Sequence, residues 1–453
     1  MNQQDLIERM PCELEGGLVL RWAAPADDEQ LVDLAFEVLD EGDPAAPFVK
    51  TFVQDWVDGR FPILRHEDMT VVEDTRTGRI VSSMCLFSES WRYGEVPVRV
   101  GRPELVMTDE GYRQRGLIRA QFEVIHALSR QRGEVMQVIT GIPSFYRRLG
   151  YEMSLDLGGG YHIYPPNFPK LDEQAAGEYR LRAPTSQADH AFVRRMHQAN
   201  THSMLFSMEV DEATWALEFD GYTDGSDGKF HWLMIEDHAG QPLGYLHHQH
   251  ILWGPTMQVN FLALKPGTGY LNLLPHLLHG LWDIARSKFT EDSFKHPTED
   301  VRGLYLRLGR KHPVYKAIGR DRMHKAPPYA WFVRIPDEAA YLRVIRPQLE
   351  AHLASSVGAG YNGELKLNFY QRGARLRFSA GAMEIDPWQP ADGSAGHAHF
   401  PPNSFWSLLC GQRRAGQLAN QIGDCWMSRT ARTLLDCLFP LFNGQVWVVG
   451  GGG

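Results

Sequence analysis

The sequence predicts a mixed α/β protein in which two similar α/β units precede a smaller α+β unit. Three observations predict it. Residues 104–151 read as a strand, a basic turn, an amphipathic helix, a short strand and an aromatic turn. The same order of elements returns between Tyr179 and Gly319, the mark of a long-period repeat. After Pro327-Pro328-Tyr329 the pattern changes, because paired prolines favour extended backbone and end helices. A chain of 453 residues is in any case too long for one core.

In the first unit, Leu18-Val19-Leu20-Arg21-Trp22 opens as a strand. Pro25-Ala26-Asp27-Asp28 starts a helix whose buried side is Leu31, Leu34, Ala35 and Val38, an Asp before an apolar period being an N-cap signal. A second helix covers residues 48–57 and stops before Gly59. Residues 69–73 and 80–87 form a hairpin around Thr77-Gly78. Residues 104–108 are the next strand, in which strict alternation places Glu104, Val106 and Thr108 on one face. The following helix buries Ile118, Phe122, Ile125 and Leu128, and a strand at 135–140 leads into the aromatic turn.

The second unit restarts at residues 179–184 and continues with a helix bearing Phe192, Met196 and Ala199. Strands at 232–236 and 242–248 flank Ala239-Gly240, and a strand at 259–264 precedes a glycine-containing loop and a helix at 271–285. Tyr315-Lys316-Ala317-Ile318-Gly319 repeats the spacing of Tyr146-Arg147-Arg148-Leu149-Gly150. The second loop lacks the arginines of the first, so this copy is expected to be structural, its helix enclosing a cleft between the units. In the third unit a helix carries Leu342, Ile345 and Leu349. Residues 363–370 and 374–379 are strands, the latter with one buried and one wet face. Short helices around 405–409, 415–421 and 431–439 close the chain.

Composition excludes several classes. A hydrophobic content of 43% and a charged content of 22% are those of an ordinary globular protein, and a net charge of −9 argues against nucleic-acid binding. The five cysteines are scattered without a CxxC pair, which fits free thiols in a reducing compartment. Neither a signal peptide nor an apolar run of roughly 20 residues is present, so a cytoplasmic protein without membrane partners is expected.

Arg113-Gln114-Arg115-Gly116-Leu117-Ile118-Arg119 lies between a strand and a helix, which is a place to hold phosphate. The first helical turn has N–H groups without internal acceptors, the dipole is positive there, and glycine admits an oxygen to the backbone. A basic helix start is also commonly just a solvated face. The turn resembles the pyrophosphate loop of the GNAT acetyltransferase superfamily. Phe145-Tyr146-Arg147-Arg148-Leu149-Gly150-Tyr151 resembles the tyrosine-bearing motif that follows it there. The whole chain is most similar to the three-domain branch typified by the enhanced intracellular survival (Eis) acetyltransferases, although Ile118 stands where many GNAT loops have Gly or Ala.

The resemblance implies tandem GNAT-like domains at 1–165 and 166–330, the second degenerate, and a sterol-carrier-protein-like domain at 331–453. It implies acetyl-CoA as acetyl donor, no metal, and a homo-oligomer, hexamers being common in the branch. The 104–108 strand would splay from the next strand to admit the pantetheine arm. Val106, Met107 and Thr108 would hold that arm, residues 113–119 the pyrophosphate, and Gly141 and Ile142 would touch the cofactor.

Acetyl transfer to an amine needs a polarised carbonyl, a base for the amine and an acid for the departing thiolate. Tyr146 is the candidate acid by its motif position; by itself it reads as an aromatic packed between Phe145 and Leu149. Glu104 is one candidate base. The other is the C-terminal carboxylate of Gly453, although this chain ends in four glycines rather than an aromatic residue. His247, His248, His250, His276 and His279 lack a carboxylate or cysteine at ligand spacing and read as a satisfied or exposed cluster. Asp40, Glu41 and Asp43 either attract a cationic acceptor or are solvated loop charges. The expected function is therefore N-acetylation of a primary amine such as an aminoglycoside, a polyamine or lysine. The alternative is a non-catalytic binder of a lipid or hydrophobic ligand through the C-terminal unit.

Overall fold

The computed structural model describes residues 7–171, 178–252, 254–288, 300–442, 446 and 448, and its described strands form three sheets. The first begins with β1 (Cys12–Leu14), β2 (Leu18–Trp22), β3 (Met69–Asp74), β4 (Arg79–Tyr93) and β5 (Val96–Thr108). Helices α1 (Asp28–Val38) and α2 (Phe48–Val57) lie between β2 and β3, and α3 (Leu117–Gln131) follows β5. The sheet continues through β6 (Met136–Ile139), and β7 (Glu152–Leu157) is its far edge. β4 and β5 make a long hairpin through Gly94-Glu95. Its outer half, residues 88–103, escaped the sequence reading because the charged Glu89 and Arg102 stand at buried positions.

β5 and β6 run parallel but pair only at Val100–Met136 and Gly101–Gln137. Beyond Gly101 the strands part, and among the described residues 102–108 have no partner strand on that side. The fork has a cause at its base. A Cβ on Gly101 would lie 2.3 Å from Glu134 and 2.8 Å from Ser129, so glycine lets both approach. Ser129 Oγ accepts from Gln137 Nε2 (2.7 Å), and Ser88 donates to Glu134 (2.5 Å).

β5 also carries a bulge. Ser83 faces Met107 and Cys85 faces Glu104, so β5 has one residue more than β4 here, and Leu105 takes φ +52°. The bulge corrects the expected alternation. Glu104 shares its face with Cys85, Leu105 and Met107, whereas Val106 packs on the opposite, α3 side with Met84 and Phe122.

The second sheet contains β8 (Gly160–Ile163), β9 (Tyr179–Arg182), β11 (Phe230–Asp237), β12 (Pro242–Gln249), β13 (Thr256–Leu264), β14 (Gly303–Leu306) and β15 (His324–Ala326). β10 (Phe206–Met208) instead adds to β4, and β16 (Tyr329–Arg334) inserts between β6 and β7. Strands therefore cross between the sheets: β8 leaves the first unit for the second sheet, and β16, from beyond the second unit, closes back into the first. Sequence reading passed over β16 because its proline flank reads as a linker and its Ala330–Val333 core is buried without alternation.

In the second unit, α6 (Tyr270–Lys288) packs its Leu273, Leu274, Leu277, Leu278 and Leu281 into that unit's own core. The expectation that this helix encloses the inter-unit cleft is thus corrected. The element facing the first unit is α5 (Gln187–Thr201), whose Phe192 and Val193 join α1, α2, Phe87 and Met107.

The third sheet is β17 (Gly363–Asn368), β18 (Gly373–Ser379), β19 (Ala382–Trp388), β20 (Ala398–His399) and β21 (Trp426–Met427). Its apolar face, Leu365, Leu367, Leu376 and Phe378, forms one core with Trp91, Val100, Val138, Trp331 and Val333 of the first sheet. The protein's own side chains therefore fill that face. No helix of the described residues is long and apolar enough to cross a membrane.

Trp331 is fully buried and meets Trp91 edge to face at 6.2 Å in this shared core. Trp331→Ala is expected to cost about 3–5 kcal/mol, read as a lower midpoint of denaturant-induced unfolding.

Candidate active site

The turn before α3 is pinned by short-range polar contacts. Asp109 accepts from the Gly111 N–H (2.8 Å) and from Arg79 (3.1 Å), and the Tyr112 hydroxyl donates to Asp74 (2.7 Å), which Arg76 also holds. Gln114 and Gly116 both have positive φ, +64° and +77°. The first intrahelical bond is Ala120 N–H to Gly116 O, so the amides of Leu117, Ile118 and Arg119 face outward from the helix start. Space in front of Gly116 is open, with nothing within 4 Å of a built Cβ.

Arg113, Gln114, Arg115 and Arg119 are exposed, whereas Leu117 is buried. Arg113 donates to Thr108 O (3.4 Å), and Arg115 donates to Gly111 O (3.1 Å) with its guanidinium 4.8 Å from the Tyr112 ring. Amide donors, three guanidinium groups and an open approach together suit a diphosphate.

The fork continues from this turn. Thr108 Oγ1 lies 2.8 Å from Ser82 Oγ, which also accepts from Gln121 Nε2 (2.8 Å), so buried α3 groups hold the end of β5. Met107 is buried and Val106 half-buried, their strand edge toward β6 unpaired. Across the opening, α4 (Pro143–Tyr146) follows Gly141 and Ile142. Gly141 has φ +124°, and a Cβ there would sit 2.8 Å from the Tyr146 ring. Only glycine allows that approach. Tyr146 is 8% exposed and packs among Phe122, Phe145, Tyr151 and Phe332. Burial raises its phenol pKa, and Glu104 and Tyr329 raise it further, so the group stays protonated. Ile142 is largely exposed.

Glu104 lies on the other face, at the end of a buried chain of ionic groups. Arg102, with no exposed surface, donates from Nε to Glu89 (2.8 Å) and from Nη1 to Glu104 (2.9 Å), and its guanidinium lies 4.5 Å from the Phe87 ring. Trp91 Nε1 donates to the second Glu89 oxygen (2.7 Å). The Glu104 side chain keeps 22% exposure. Burial raises its pKa, Arg102 opposes this, and Glu89 and Asp227 reinforce it. Asp227 belongs to the second unit, and its N–H donates to Phe48 O in α2 (3.1 Å).

Sequence reasoning thus named Glu104 and Tyr146, which the structure brings to the two sides of one opening. It missed Arg102, Glu89, Asp227 and Tyr329. The Tyr329 hydroxyl donates to Gly141 O (2.5 Å), which ties β16 to the turn before Tyr146. No local pattern marks these four. Gly453 lies outside the described residues. Asp40 is buried and accepts from the amides of Val49 (3.0 Å) and Lys50 (2.7 Å), so it caps α2 rather than meeting an acceptor.

The second unit differs at the matching places. β13 and β14 pair over four positions, and the Tyr315 hydroxyl donates to Leu306 O (2.8 Å) while accepting from the Leu308 N–H (3.1 Å). Its phenol is therefore used by backbone. His231 and His250 share a hydrogen bond (2.8 Å), His247 and His248 are buried, and His279 meets Pro169 O (3.2 Å). Among the described residues, no group of three or more His, Cys, Asp or Glu is placed to hold a metal ion.

Residues 26–154 match the family model for an acetyltransferase (GNAT) domain. Among solved structures, a probable N-acyltransferase from Enterococcus faecalis aligns with TM-score 0.67 at 12% identity, over 95% of this chain and 99% of that one. A GCN5-related N-acetyltransferase from Kribbella flavida aligns at 0.62 and 15% identity, over 95% and 97%. Eis1 from Mycobacterium abscessus aligns at 0.59 and 14% identity, over 96% and 100%. No curated protein matches the sequence. At such identities the likeness is one of fold, and it spans nearly the whole chain.

Gly141→Ala is expected to push the Tyr146 ring from its seat and to cost about 1–3 kcal/mol in backbone strain. Thermal unfolding measures the cost, and ring displacement appears as changed tyrosine resonances.

Proposed function

We propose that this GNAT-type acyltransferase moves an acetyl group from acetyl-CoA directly to a primary amine. The observation that carries the reading is the fork between β5 and β6, with a carboxyl group on one face and a phenol on the other. A thioester lying through the opening would meet the amine from the Glu104 side and leave its sulfur toward Tyr146. In the transfer a C–N bond forms and the C–S bond breaks. The amine loses a proton to Glu104, and the thiolate takes one from Tyr146.

Binding follows the same geometry. The unpaired edge of Val106, Met107 and Thr108 suits an amide-bearing arm that adds like a strand. The amides of residues 117–119 with Arg113, Arg115 and Arg119 suit the pyrophosphate, and Gly141 and Ile142 border the thioester. Cys85, whose thiol donates to Glu104 O (3.4 Å), is buried and its pKa pushed up, which disfavours an acyl-enzyme. Glu104 and Asp227 make the acceptor side acidic, which favours a cationic amine such as an aminoglycoside, a polyamine or lysine.

The same proposal takes residues 1–165 as the catalytic domain, 166–330 as a degenerate GNAT-like domain and 331–453 as a sterol-carrier-like domain of an Eis-like, homo-oligomeric, cytoplasmic enzyme. The filled apolar face of the third sheet supports a structural role for that domain over lipid binding.

An amine-acceptor screen read by CoA release tests the reading; no turnover with any amine, despite binding of acetyl-CoA, overturns it. With a good acceptor, Tyr146→Phe should lower kcat by roughly 10²–10⁴-fold and leave the acetyl-CoA KM near that of the parent. Arg115→Ala should raise the acetyl-CoA KM much more than the amine KM, measured by initial rates with each substrate varied in turn.

A further inference from the structure

The buried ionic chain behind Glu104 is more than an ion pair. One guanidinium serves two carboxylates, and all three groups lie on the same face of β4 and β5. Arg102 has no exposed surface and Glu89 is 5% exposed, so neither reaches solvent or a substrate. Every polar end of the inner pair is used: Glu89 accepts from Arg102 Nε on one oxygen and from Trp91 Nε1 on the other. Of the three side chains, only that of Glu104 keeps appreciable exposure, 22%. A buried charge without function would cost several kcal/mol in desolvation, and an apolar trio would fill the volume at lower cost.

We propose that Glu89 and Arg102 are positioning residues that fix the Glu104 carboxyl at the fork and set its basicity. Arg102 anchors one Glu104 oxygen from the same strand, two residues away. Glu89 takes the other side of the guanidinium. Glu104 thereby keeps its orientation without facing an uncompensated cation, which would make it a weak base. The inference rests on Glu104 acting as the base.

The other titratable groups facing Glu104 act in the same direction or only weakly. Asp227 reaches it from the second unit and Glu89 from β4, both raising its proton affinity. Tyr146 approaches from α4 and Cys85 from β4, each held protonated by burial. Arg102 opposes them.

The sign of each change follows. Glu89→Gln removes an anion and leaves Arg102 to Glu104 alone, so the Glu104 pKa falls. Arg102→Gln removes the cation, so it rises. Each shift is expected to be about 1 unit or more. The test is the pH dependence of kcat/KM for the amine in both variants, beside Glu104→Gln and the parent. The Glu104 titration is followed in parallel by carboxyl ¹³C resonance, assigned by its loss in Glu104→Gln.

The expected result is an acid limb that moves to lower pH in Glu89→Gln, to higher pH in Arg102→Gln, and vanishes in Glu104→Gln. Carboxyl titrations that coincide in all three Glu104-containing proteins overturn the proposal, whatever the kinetics show. An acid limb that survives Glu104→Gln overturns the base assignment instead, while shifted carboxyl titrations would still uphold the positioning pair. Should both variants fail to fold, a parent Glu104 midpoint at or below that of a free glutamate overturns it.

Discussion

Everything at this site depends on two parallel strands that stop pairing. A buried strand edge with free N–H and C=O groups is costly unless something else accepts those bonds, so the fork between β5 and β6 needs a structural cause. The cause is visible at its base. Gly101 has no side chain to keep Glu134 and Ser129 away, and Ser129, Gln137, Ser88 and Arg334 tie β6 to α3, β4 and β16. β6 is thereby committed to β16, its partner on the other side. The unpaired half of β5 is left with the bonding capacity an extended, amide-bearing ligand would satisfy.

The bulge at Leu105 then decides what stands around the opening. In a regular strand Glu104, Val106 and Thr108 would all face α3 and share the Tyr146 side. One extra residue reverses that phase, so the carboxyl stands opposite the phenol with the fork between them. The proposed transfer asks for a base at the nitrogen and an acid at the sulfur, and the split keeps the carboxyl and the phenol apart as it requires.

The units are interlocked around this opening. β16 comes from beyond the second unit, supplies Tyr329 to the Gly141 carbonyl and closes the first sheet. The second unit brings Asp227, and the third unit shares a core with Trp91 and Trp331. The first unit by itself would lack β16 and the nearby Asp227.

Local pattern carried much of this protein. Helix periodicity placed α1, α2, α3, α7 (Glu338–Ala354) and the C-terminal helices, and the alternation of Gly373–Ser379 placed the buried face of the third sheet. The arginine-rich turn and the aromatic turn were legible because their chemistry depends on neighbours within a few residues. The crossing of strands between the sheets, the partnership of Arg102 with Glu89, the capping role of Asp40 and the side of the sheet on which Glu104 stands were not. Each of these depends on register or on partners far along the chain, and a single added residue in β5 was enough to turn Glu104 over. The sequence by itself determined most of the helices and the two turns whose chemistry lies within a few neighbouring residues. Only the tertiary structure decided where the sheet opens and which groups meet across it, because strand pairing is a contest among distant segments that no local pattern records.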